Sequence, residues 1–161
     1  MKKTNEVQKL TGFWTIRKYR TDEDFRNDMP YEINQDENLA LNTGITELWN
    51  IFTGVSGHAV FSNGNSEVGV GDSNTAAVAT QADLQAATNK TYVACDATFP
   101  SINAQTVTFQ STFTGTAANY AWNEMVVKNS SSTICLNRLV SAQGTKTSGQ
   151  TWQIQVAITL S

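Results

Sequence analysis

The alternation of apolar and polar positions is clearest in the last third of the chain. Across residues 152–160 the even positions are Trp152, Ile154, Val156, Ile158 and Leu160, and the odd ones are Gln153, Gln155, Ala157 and Thr159. Across residues 106–113, Val107, Phe109 and Phe113 share one face, while Thr106, Thr108, Gln110 and Thr112 share the other. Successive side chains of a strand point to opposite sides, so this period of two means one buried and one polar face. Residues 122–127 and 134–140 read as two more strands, joined by the polar turn Lys128-Asn129-Ser130-Ser131-Ser132. Gly144 and Gly149 bracket a turn before the last strand. Earlier, residues 59–61 are apolar and Ser62-Asn63-Gly64-Asn65 is a turn signal. Val68 and Val70 lie on one face of a short strand that Gly71-Asp72-Ser73-Asn74 breaks. Several short strands at this spacing predict a mainly β chain, folded as an antiparallel sandwich or barrel.

Two segments depart from that pattern. Ile45, Leu48, Trp49 and Phe52 fall at i, i+3, i+4 and i+7, which predicts a short helix over residues 43–52. Asn42 or Thr43 is placed to cap it and Gly54 to end it. Its apolar stripe reads as core packing. Thr80-Gln81-Ala82-Asp83 fits a capping box ahead of Leu84, so one or two further helical turns are expected there.

Residues 1–38 are different again. Leu10, Phe13, Trp14, Ile16 and Tyr19 are large and apolar without a clean period, and Arg17, Lys18 and Arg20 precede Asp22, Glu23 and Asp24. This part reads as an arm that packs on another subunit, or as an ordinary first strand followed by a surface loop. The division expected is an N-terminal arm, 1–38, and a β-sandwich domain, 39–161. Its boundary lies at the one shift in composition, near residues 38–42. The chain holds no internal repeat and no low-complexity linker.

Composition sharpens the picture. Ser, Thr, Asn and Gln make up 59 of the 161 residues. Of 25 charged residues, 16 lie in positions 1–50, leaving 9 for the last 111. A charged fraction of 16% is well below the roughly one quarter usual for soluble domains. Interface cores are depleted in charge in the same way, so much of this surface is expected to be covered by copies of the chain or by a partner. A neutral, Thr-rich surface is the plainer alternative. A net charge of -3 and a pI near 5.0 argue against a nucleic-acid binder, which carries a basic excess. No apolar run approaches the roughly 18 residues of a membrane span. Lys2 and Lys3 are followed by polar residues, so no signal-peptide core is expected.

Candidate chemistry is sparse. His58 is the only imidazole, in Gly57-His58-Ala59, and nucleophilic catalysis needs a base held beside a nucleophile. It reads as a surface or packing residue. Cys95 and Cys135 lack CxxC spacing and read as buried free thiols; a disulfide needs adjacent strands and an oxidising compartment. One histidine and two cysteines exclude most zinc sites made by one chain. Asp72, Asp83, Asp96 and Glu124 are the central carboxylates, and their spacing pairs no two of them; Glu124 is expected to meet Arg138 or Lys128. Asp72-Ser73-Asn74 falls short of a calcium loop. Gly69-Val70-Gly71 lacks the third glycine and following helix of a dinucleotide site, and no Lys follows Gly54-Val55-Ser56-Gly57. Trp49, Tyr120, Trp122 and Trp152 either form a sugar-stacking platform or belong to the core. No catalytic residue, cofactor or metal is expected, and the chain reads as a non-enzyme.

From residue 39 onward one succession of short pieces is familiar. It runs through Leu41-Asn42-Thr43-Gly44-Ile45, Glu47-Leu48-Trp49 and Val68-Gly69-Val70-Gly71-Asp72. It continues with Gln81-Ala82-Asp83-Leu84-Gln85-Ala86, Thr88-Asn89-Lys90-Thr91-Tyr92 and Ala118-Asn119-Tyr120-Ala121-Trp122-Asn123-Glu124. It ends with Leu136-Asn137-Arg138 and Gly144-Thr145-Lys146. This order resembles small structural proteins of tailed bacteriophages. The resemblance implies a β-sandwich or jelly-roll virion component with a structural role and no catalytic residues to transfer.

The function expected on that basis is a capsid decoration, or cement, protein. It would be made in the bacterial host cytoplasm and carried on the capsid surface as a homo-oligomer, a trimer, bound to the major capsid protein. Neither membrane nor direct nucleic-acid contact is expected. The arm would clamp the shell through Phe13, Trp14 and Tyr19, with Arg17 and Arg20 beside them, since aromatic residues and Arg dominate hot spots. A tail tube, baseplate or fibre piece is the alternative virion position. A carbohydrate-binding module using exposed Trp122 or Trp152 is the alternative of another class.

Overall fold

A computed structural model describes residues 10–160; the start of the expected arm, with Lys2 and Lys3, lies outside them. The elements follow in the order β1 (Leu10–Tyr19), α1 (Asp22–Arg26), β2 (Glu32–Glu37), β3 (Leu39–Ala40), α2 (Asn42–Phe52), β4 (Ser66–Gly71), β5 (Lys90–Ala94) and β6 (Ser101–Asn103). Then come β7 (Thr106–Phe113), β8 (Ala121–Asn129), β9 (Ile134–Thr145) and β10 (Thr151–Leu160). The strands form two antiparallel sheets of five, ordered β2-β1-β10-β7-β6 and β3-β9-β8-β4-β5. The expected mainly β, antiparallel sandwich with two short helices is the fold observed.

The two sheets meet through the apolar faces read from the alternation. Trp152, Ile154, Val156 and Ile158 of β10, Phe109 and Phe113 of β7, and Trp14 and Ile16 of β1 face Val68, Val70, Met125, Val127 and Leu139 of the second sheet. Trp122 sits between Phe113 and Trp152, edge-to-face to both, with ring centroids 4.8 Å apart in each pair. Such aromatic pairs add about 0.5–1.5 kcal/mol each beyond the area they bury. Trp122 and Trp152 are therefore core residues and cannot stack on a sugar.

The second sheet is buried on its outer side as well. Val126 and Cys135 point there and pack with Leu41 and Leu84. The long connection between β4 and β5 lies over them, tied down by a buried ion pair. Arg138 Nε donates to Glu124 Oε2 at 2.8 Å, and the same guanidinium donates to Gln81 Oε1 and to the Thr75 carbonyl. Glu124 in turn accepts from the backbone N–H of Gln85 and Ala86. Glu124 thus meets Arg138 of the two partners expected. The helical turns expected after Thr80 are absent, because the polar groups of that segment are engaged elsewhere: Gln81 on Arg138, and Asp83 on Tyr92 and the Leu84 N–H. Residues 59–61 form no strand either. Lys146 ties the 114–119 loop in similar fashion, its Nζ donating to the Thr114 and Ala117 carbonyls and to Asn119 Oδ1. Burial pushes its ammonium down to a pKa of about 8.

The described part of residues 1–38 is not an arm. β1 pairs with β10 from Leu10↔Leu160 to Tyr19↔Thr151, and with β2 along its other edge. It is an interior strand, as the alternative reading of a first strand supposed. The acidic run after it is α1, opened by a capping box in which Thr21 and Asp24 satisfy each other's backbone N–H groups.

Candidate interaction surface

α2 seats on β9 through its small and polar side, not through its apolar stripe. A Cβ on Gly44 would come within 2.5 Å of the Leu136 backbone, so only glycine allows this approach. One turn on, Glu47 is fully buried and its Oε2 lies 2.6 Å from His58 Nδ1. With these two residues turned inward, Ile45, Trp49 and Phe52 are carried outward, Trp49 63% and Phe52 81% exposed, while Leu48 still packs on the core. This corrects the reading of the stripe as core for Ile45, Trp49 and Phe52 and keeps it for Leu48. The start differs too, since the N-cap is Leu41 without a side-chain bond. Gly54 ends the helix as expected, the N–H groups of Gly54 and Val55 donating to the Ile51 and Asn50 carbonyls just past the C-cap Thr53. Gly54 follows at φ +70°.

The stripe forms one wall of an apolar groove. The other wall is the end of the first sheet where β1 starts and β10 stops. Leu48 and Ile51 of α2 face Leu10, Phe61, Val107, Phe109 and Ile158 across about 420 Å³. The groove continues outward between Ile45, Leu48, Trp49, Phe52, Leu10 and Leu160 as a further space of about 370 Å³. Ile102 on β6 is 81% exposed at the same end and Leu160 is 55% exposed. Trp49 and Phe52 stand edge-to-face with centroids 6.1 Å apart. Single exposed apolar residues are ordinary, but a contiguous face of this kind marks a binding surface.

No known protein family, curated protein or solved structure matches this chain.

A second surface is polar, its acidic charges Asp96 and Glu37 lying at the two margins. The outer side of the first sheet carries cross-strand rows Thr11–Thr159–Thr106, Phe13–Ala157–Thr108, Thr15–Gln155–Gln110 and Arg17–Gln153–Thr112. Among the described residues, Arg17 is the one charged side chain in those rows. Neighbouring strands satisfy these side chains: Gln155 Nε2 donates to Gln110 Oε1 at 3.2 Å, and the Thr106 and Thr159 hydroxyls lie 2.7 Å apart. The Gln and Thr groups thus pair within the chain.

The structure separates the five residues expected to act as anchors. Phe13, 44% exposed, and Arg17 share the outer face of β1. Trp14 and Tyr19 are buried, Tyr19 edge-to-face on Phe25 with its hydroxyl donating to Asp28 Oδ1 at 2.8 Å. Neither can reach another molecule. Arg20 lies beyond the strand, 4.7 Å over the Tyr31 ring.

The other candidates are structural. Cys95 and Cys135 are free and buried, and burial pushes both thiols up from their ordinary pKa. Asp96 accepts from Gln110, Thr112 and the Thr112 N–H. Asp72 accepts from Asn89 Nδ2. The residues missed from sequence are Ile102, Leu160 and the outward orientation of Trp49 and Phe52. Nothing local in the sequence marks that orientation, which follows from the seat of Gly44 against Leu136 and the meeting of Glu47 with His58.

Proposed function

We propose that this protein is a structural subunit of a tailed-phage virion, and specifically a capsid decoration protein that braces the assembled shell. The observation that carries the reading is the open apolar face around α2. Apolar surface left in water costs about 25 cal/mol per Å² relative to its burial, and Trp49, Phe52, Ile102 and Leu160 are held there on rigid elements. A chain built this way works as a part of an assembly. The resemblance of residues 39–161 to phage structural proteins supplies the class of assembly. The mechanism is mechanical: a subunit that binds the assembled shell and not its separated parts stabilises it by mass action. The shell then resists the pressure of packaged DNA.

Immunogold labelling of virions with an antibody raised against the purified chain tests this. Gold over the heads is expected. Gold confined to tails overturns decoration in favour of a tail component, and unlabelled virions overturn the virion reading altogether.

A further inference from the structure

We propose that the apolar face around α2 is closed by the same face of a second copy of this chain, related by a two-fold axis. This rests on the reading of the chain as an assembly subunit and deepens it by naming the partner of that face. It also replaces the expected trimer with a pair.

Area is the first reason. Ile45, Trp49, Phe52, Ile102 and Leu160 together present on the order of 700 Å², aromatic side chains alone contributing 150–250 Å² each when fully covered. A stable interface needs roughly 800 Å² per partner, and the largest apolar patch of a typical monomer is about 300–600 Å².

Charge is the second reason. In an isologous contact a residue on the two-fold axis meets its own copy, so a charge placed there meets a like charge. Among the described residues this face carries none. Glu47 is the only charged residue of α2, and it is turned inward onto His58. Leu10, Ile102 and Leu160 are the contributions of the strand ends. A neutral centre lets the face lie on a two-fold axis without setting like charges together.

Shape and edges are the third. The Trp49–Phe52 pair projects beside a groove lined by Leu48, Ile51, Phe61 and Val107. A knob next to a hole on one face is self-complementary under a two-fold axis. The edge of the first sheet at this end, β6, is Ser101-Ile102-Asn103 and uncharged, whereas the opposite edge, β2, carries Glu32, Asp36 and Glu37. Charged residues protect a sheet edge against pairing, and only the edge away from the apolar face has them.

The test uses the purified full chain alone, by light scattering on a sizing column over a range of concentrations. Twice the chain mass of 17.6 kDa is expected for the wild type. A single-chain mass is expected for Trp49→Glu/Phe52→Glu, with the circular dichroism of the fold retained. Trp49→Ser/Phe52→Ser serves as the milder pair of changes if the charged variant does not fold, with the same outcome expected. Phe13→Glu, on the outer face of the first sheet, should leave the mass doubled. A single-chain or three-chain mass for the wild type overturns the proposal, as does a doubled mass in the folded double variants. Labelled heads with a single-chain mass remove the pairing and leave decoration standing; unlabelled virions with a doubled mass do the reverse.

Discussion

Glu47 is the one charged residue of α2 and one of the few fully buried carboxylates in the molecule. Its Oε2 meets His58, and its Oε1 has no hydrogen-bond partner among the described residues. Removing one partner of a buried pair leaves an uncompensated polar group and costs about 3–5 kcal/mol, whereas replacing both by apolar groups is often neutral. His58→Ala is therefore expected to lose about 3 kcal/mol in urea unfolding at neutral pH. His58→Ala/Glu47→Leu should recover most of that loss. Equal destabilisation in both variants would show that the pair contributes nothing specific.

Tyr19 carries a pH dependence of its own. Burial, then the hydrogen bond to Asp28, raises its pKa from 10.0 to about 12. A group whose folded pKa is raised contributes stability that is complete below its unfolded value and is lost as pH climbs to the folded one. Wild-type stability should thus fall more steeply between pH 10 and 12 than that of Tyr19→Phe, which keeps the contact with Phe25. Parallel curves for the two proteins in thermal melts over that window would refute this.

At the level of elements, β1 shows how context overrides composition. Its residues are charged and aperiodic because only part of it follows the alternation: Trp14 and Ile16 face the core and Phe13 and Arg17 face out. Lys18 is buried nonetheless, donating to Glu32 at 2.8 Å and to the Gln143 carbonyl at 2.6 Å, with Trp152 beneath it. Deleting residues 1–20 takes out a strand that pairs on both edges. Loss of a single buried Trp side chain costs about 3–5 kcal/mol, against a typical total stability of about 5–15 kcal/mol. Trp14, Ile16 and Tyr19 leave together, so the truncated chain should show no cooperative unfolding transition in circular dichroism. A folded truncation would restore the idea of a dispensable arm.

At the level of the whole molecule, surfaces are distributed unevenly. The second sheet is covered on both sides, by the core and by the loop that Arg138 and Glu124 hold down. The first sheet leaves its Thr and Gln rows open, and α2 leaves its apolar stripe open. Charge collects around β1, α1 and β2, at the far edge from β6. A molecule with one polar face and one apolar face has two places to meet other polypeptides. Pairing through the apolar face, as proposed, would leave the polar face open.

The strands of the last third and the existence of α2 were determined by the sequence itself, because side-chain periodicity is a local property and one buried face follows from it. The same holds for the thiols, which lack neighbouring ligands, and for the meeting of Glu124 with an opposite charge. Only the tertiary structure decided which way α2 faces. An apolar stripe at helical spacing tells that one side differs from the other, not which side the protein covers. That choice rested on the close seat of Gly44 against Leu136, far along the chain, and on the pairing of Glu47 with His58 beyond the helix end. The fate of β1 was decided in the same way: a strand is made by its neighbours, and its neighbours are β2 and the last strand of the chain.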